Sequence, residues 1–112
     1  MNYIDAVKMV KGKTSASRRK IGNNTRAEIL PCGSVAIILH ATPVVTIHPD
    51  DSATIRSGGW RTHTTKDRIN KYSPFRIYQK NFEWFFENHV PFVDGAVVTK
   101  DWVAIHRDCL TA

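Results

Sequence analysis

A chain of 112 residues is long enough for one domain that buries roughly two-thirds of the surface its unfolded form exposes, so a core needs neither metal nor disulfide staples. With 42% hydrophobic and 23% charged residues, neither global disorder nor a collagen-like repeat fits. The formal charge of +6 is concentrated: residues 1–27 carry seven Lys or Arg against Asp5 alone, whereas residues 28–112 carry nine bases and nine acids.

In chain order, Asn2 is placed to cap a short amphipathic helix over residues 3–11, with Tyr3, Ile4, Val7 and Val10 on its apolar side and Gly12 just past its end. Residues 12–24 are small, polar and basic, and read as a mobile arm. From Thr25 the period changes to two. Thr25–Leu30 is expected to pair with Ser34–Thr42 across Pro31-Cys32-Gly33, and the second strand is apolar on both faces, as a central strand is. Val44–His48 follows, closed by Pro49-Asp50-Asp51-Ser52, and Ala53–Ser57 returns, giving a four-stranded meander.

Beyond Gly58-Gly59 a second helix is expected at about 64–72. Thr64 and Asp67 stand at the spacing of a capping box, and Ser73-Pro74 ends the helix. Phe75–Gln79 and Phe82–Glu87 read as a hairpin around Lys80-Asn81 that buries Phe82, Trp84 and Phe86 on one face. Asp94-Gly95 signals another hairpin, joining Pro91–Val93 to Ala96–Val98, and Trp102–Ile105 a last edge strand. The predicted class is α+β: a mainly antiparallel β-meander with a short N-terminal helix and one short helix at 64–72. Residues 1–24 form the helix and basic arm, and residues 25–112 a single β-rich domain.

The segment with the most chemistry is Ser57 to Arg68. Gly58 and Gly59 allow a tight bend and a close backbone approach. Ser57, Thr62, Thr64 and Thr65 supply hydroxyls, a helix start supplies free N–H groups, and Arg61, Lys66 and Arg68 supply charge. These are the parts of a phosphate cradle, although no P-loop or dinucleotide fingerprint is present. A purely structural alternative has the glycines turning a corner, Trp60 plugging the core and the threonines capping. A second signal is the arm itself, where Lys13, Arg18, Arg19, Lys20 and Arg26 resemble flexible basic segments that neutralise phosphates. A solvated charge run is the competing explanation there.

Catalytic and metal chemistry find no footing. His40, His48, His63, His89 and His106 are scattered, with no pair at metal-ligand spacing. His40 reads as a sheet histidine. Cys32 and Cys109 are solitary and fit reduced thiols. No nucleophile motif or carboxylate pair is present, so neither an enzyme nor a cofactor is expected. The N-terminus lacks a signal-peptide core, and no apolar run approaches the roughly 18–20 residues of a membrane span. A host-cytoplasmic protein without membrane contact is the expectation.

Asn23-Asn24-Thr25, Gly33-Ser34-Val35-Ala36, His40-Ala41-Thr42, Val44 to Asp50, Ser57-Gly58-Gly59-Trp60-Arg61-Thr62 and Thr64 to Asn70 fall in one order. Together they resemble a family of small proteins encoded by tailed bacteriophages and related mobile elements, over roughly residues 20–80. Pro43 departs from the polar residue expected in that pattern, and would loosen the pairing of its strand. The resemblance implies a phage-encoded accessory factor and carries no catalytic residue with it. The expected partner is nucleic acid or a nucleotide. Inhibition of a host defence or regulatory protein and a minor virion role are the alternatives.

Overall fold

The computed structural model describes residues 2–12, 17–59, 62–86, 91–98 and 104–105. Helix α1 (Tyr3–Lys11) begins where Asn2 Oδ1 accepts the Asp5 N–H at 2.8 Å, and ends where the Gly12 N–H donates to the Lys8 carbonyl. Its inward stripe is Tyr3, Ala6, Val7 and Val10, at helical spacing; Ile4, expected in that stripe, is 62% exposed.

Seven strands then form one antiparallel sheet. They are β1 (Arg18–Gly22), β2 (Thr25–Ile29), β3 (Val35–Leu39), β4 (Thr42–Ile47), β5 (Ala53–Ile55), β8 (Ala96–Val98) and β9 (Ala104–Ile105), adjacent in that order. Between β5 and β8 the chain makes α2 (His63–Tyr72) and a separate hairpin, β6 (Ile77–Lys80) with β7 (Glu83–Phe86). The class is α+β with a dominant antiparallel sheet, as expected.

β3 is buried along its whole length, which its two apolar faces anticipate. One sheet face, carrying Val35, Ile37, Val45, Ile47 and Ile55, packs with Ala6 and Val10 of α1 and with Ile69 and Tyr72 of α2. Trp84 and Phe86 complete this core from β7, with Phe92 edge-on to Trp84 at 5.4 Å. Burying such side chains is worth about 1.5–3 kcal/mol each relative to exposure. The N-terminal helix is tied to the sheet at two turns: the Tyr3 N–H donates to Asp51 Oδ1 (2.8 Å) and its hydroxyl to the Gly33 carbonyl (2.6 Å).

Four expectations are corrected. Residues 18–22 are not part of a mobile arm. They form β1, turned back onto β2 through Asn23-Asn24, with Asn24 at φ 52. His40 is not in a strand either. It sits exposed at φ 57 in the two-residue connection between β3 and β4, so the run expected over 34–42 is broken there. The cap of α2 is Thr62, whose Oγ1 accepts the Thr65 N–H, two residues before the expected Thr64. Finally, β8 pairs with β5 and not with residues 91–93, because Asp94-Gly95 turns the chain back onto the main sheet.

Phe82 differs as well. Trp84 and Phe86 are buried, but Phe82 is 94% exposed at the β6–β7 turn, where Asn81 and Phe82 both have positive φ (52 and 66). Two positive φ values are the condition of a type I′ turn, which favours Asn-Gly. Phe82→Gly is therefore expected to stabilise the fold by about 1 kcal/mol, since relief of the left-handed side-chain penalty outweighs loss of an almost unburied ring. A higher urea midpoint checks this.

The β4–β5 turn carries a second test. Asp50 Oδ1 accepts the Ser52 hydroxyl (2.5 Å) and its N–H (3.0 Å). The hydroxyl bond, then the N–H bond, hold this carboxyl below its ordinary 3.8, against a partial opposing effect of burial. A depressed folded value means the contribution is complete above pH 3.8 and is lost as pH falls through the lower folded value. Asp50→Asn should flatten that part of the acid limb in denaturation midpoints measured from about pH 5 down to about pH 2.

Candidate functional site

β1 is the terminal strand of the sheet, and its alternation sorts the cations. Arg18 stands opposite Glu28 and Lys20 opposite Arg26 on one face, while Arg19 stands opposite buried Ala27 on the other. Glu28 is the acid among them, 3.0 Å from Arg26 Nε and 4.0 Å from Arg18. Arg26 also donates to the His40 carbonyl (3.1 Å), which ties the hairpin to the β3–β4 turn. Arg19 leans toward the end of α1, its guanidinium 3.5 Å from the Met9 carbonyl. The result is a trough of about 480 Å³ whose walls include Arg18, Arg19, Lys20 and Arg26, with Asn24, Thr25 and His40 completing it.

A second concavity, of about 490 Å³, shares His40 with the trough. Leu39 and Val44 give it apolar walls; Thr42, Ser57, Thr62, Thr64 and Thr65 give it hydroxyl-bearing ones. The local cause is a bulge. Ile37 pairs with Val45 but Ile38 with Pro43, so Val44 is the extra residue and the ladder is interrupted where proline has no N–H to give. The looser pairing that Pro43 implies is thus realised as a bulge beside a cavity.

The residues expected as a phosphate cradle are divided by this geometry. Ser57, Thr62, Thr64 and Thr65 line the second concavity. Ser57 is itself engaged: its N–H donates to Asp94 Oδ1 and its hydroxyl to Asp94 Oδ2 (2.9 Å). Gly58, at φ 64, is pressed against Thr42, whereas an atom added at Gly59, at φ 84, would meet none of the described residues within 4 Å. Lys66 and Arg68 lie outside the lining. Lys66 Nζ donates to Gln79 Oε1 (3.2 Å), and Arg68 donates to Asp67 (2.6 Å) and Thr25 Oγ1 (3.1 Å). Arg68 therefore reaches from α2 toward a residue of the trough. Trp60, Arg61 and Lys13 lie outside the described residues.

Asn24 and Thr25 in the trough, and Leu39, His40, Ala41, Thr42 and Val44 around the second concavity, are the lining residues that sequence reasoning did not nominate. Their signals were Asn23-Asn24, a turn dipeptide, and Pro43 inside an apolar run, which marks an interrupted strand. His48 bridges Ser34 Oγ (2.8 Å) and Thr54 Oγ1 (2.7 Å). Among the described residues no group of three or more His, Cys, Asp or Glu is gathered to hold a metal ion. Nor is any helix among them long and apolar enough to cross a membrane.

Comparison with known proteins adds one match. Residues 3–104 fit the family model described as Kyanoviridae Gp96 protein. No curated protein and no solved structure matches the chain. Since the fitted span runs from the first residue of α1 to the first of β9, the chain belongs to the Kyanoviridae Gp96 protein family and is a phage-encoded protein.

Proposed function

We propose that this protein is a non-catalytic accessory factor that binds nucleic acid through the trough at the β1–β2 edge. The observation that carries the reading is the placement of Arg18, Lys20 and Arg26 on one face of the hairpin, with Arg19 at its edge toward α1, around one concavity, against Glu28 as the single acid of the hairpin. A phosphate backbone repeats its charge along the strand, and a row of cations held on a hairpin can neutralise several phosphates while losing little conformational entropy. Arginine suits this role because its planar fork donates to two phosphate oxygens at once.

The deciding experiment is a salt titration of oligonucleotide binding by fluorescence anisotropy. Affinity that falls linearly on a logarithmic salt scale, with a slope set by about four phosphate contacts, supports the reading. Affinity that stays flat across salt, or no binding at low salt, removes it.

A further inference from the structure

The trough and the threonine-lined concavity meet at a single residue, His40, which contributes to both. They differ sharply in chemistry. The trough holds four cations, whereas the described lining of the second concavity contains no Lys, Arg, Asp or Glu. We infer that this second concavity receives one unpaired base of a single-stranded nucleic acid whose backbone lies in the trough, an inference that rests on the nucleic-acid reading above.

The lining suits such an occupant. A nucleobase has apolar faces and a polar edge, and the cavity combines buried Leu39 and Val44 with the hydroxyls of Thr42 and Thr64, that of Thr62 being engaged with Thr65 as the helix cap. A hydroxyl is both donor and acceptor and can turn to suit either kind of edge atom. The volume of about 490 Å³ lies within the range of roughly 300–1,000 Å³ common to small-molecule sites. Bases inside a duplex are stacked and paired, so they reach such a cavity only by being extruded at a cost. Single strands escape that cost.

The test compares a single-stranded DNA, the same sequence as RNA, and the matching DNA duplex, by anisotropy at several salt concentrations. At least one single strand should bind about tenfold or more tightly than the duplex, the order of one base contact. Abasic substitution along that strand should lower affinity at one position of each bound register. Ala41→Trp and Thr64→Trp each place an indole in the cavity from an exposed position, and leave the trough cations untouched. Either variant, with an unchanged melting temperature, should reduce single-strand affinity about tenfold toward the duplex level, with the salt slope unaltered. Equal affinity for duplex and single strand overturns the inference, as does indifference to abasic sites or wild-type binding by both folded tryptophan variants. If a steep salt slope survives those results, the base pocket alone falls. If no probe binds with salt dependence, the trough reading falls with it.

Discussion

Joint replacement of Arg18, Arg19 and Lys20 by alanine is expected to leave a folded protein that has lost most of its affinity for nucleic acid and most of its response to salt. All three side chains are exposed on the terminal strand of the sheet, so their removal costs the core nothing. With four cations engaged, a single-stranded probe should follow a logarithmic slope near about −3, at roughly −0.7 per phosphate. That slope means a loss of roughly 50-fold between 50 mM and 200 mM salt, whereas Arg26 alone leaves roughly 3-fold over the same range. The opposite substitution gives the control. Glu28→Gln removes the acid that stands 3.0 Å from Arg26 Nε and should tighten binding severalfold at low salt. If the triple variant keeps the wild-type slope, the cations of β1 are not the ones that meet phosphate.

The fixed position of those cations is also what the amino-acid pattern concealed. Arg-Arg-Lys-Ile-Gly has no apolar alternation, so nothing local marks it as a strand. It becomes one because Asn24 adopts a left-handed conformation and turns the segment onto β2, an already well-specified neighbour. By contrast, β2 to β5 were readable because dense β-branched runs alternate with strong turn residues at Pro31-Cys32-Gly33 and Pro49-Asp50-Asp51-Ser52. The pairing of β5 with β8 spans about forty residues of intervening helix and hairpin, and no local period encodes a contact at that separation.

The candidate site was legible only as ingredients. Ser57, Thr62, Thr64 and Thr65 do gather at one cavity. Their expected cationic partners, Lys66 and Arg68, point elsewhere because α2 turns them toward Gln79 and Thr25. Helical periodicity places a residue on a face, but what that face meets depends on where the helix docks. The charge lining a concavity is supplied from another part of the chain, by β1. His40, the residue joining the two halves, looked like a strand histidine because apolar alternation runs through it. The turn is announced only by Pro43, three residues on, whose missing N–H forces the bulge at Val44.

The paired glycines, read together from sequence as one flexible element, are expected to separate under substitution. An added Cβ at Gly58 would stand 2.6 Å from Thr42 Cγ2 and 2.9 Å from Thr42 Oγ1, and the backbone there has φ +64. Gly58→Ala therefore carries two penalties: roughly 1–2 kcal/mol for a side chain in the left-handed region and roughly 1–3 kcal/mol for overpacking against a stiff β-branched neighbour. A loss of roughly 2–5 kcal/mol in urea denaturation is the expected result. At Gly59, φ is +84 but nothing among the described residues lies within 4 Å of the added atom. Gly59→Ala should accordingly cost only the conformational part, about 1–2 kcal/mol. Thr42→Gly separates the two contributions, because the double variant with Gly58→Ala relieves the clash and leaves the strain, and a double-mutant cycle reads the difference as coupling. The same contact bears on binding, since Thr42 is a wall of the cavity that Gly58 buttresses from outside. Relaxation of Thr42 away from an added methyl would displace the hydroxyl beside Leu39 and Val44. Gly58→Ala should then weaken discrimination between single strand and duplex while leaving the salt slope at its wild-type value. Equal stability losses at the two glycines would mean that the loop does not close against the β3–β4 turn, and the cavity would lose one of its walls.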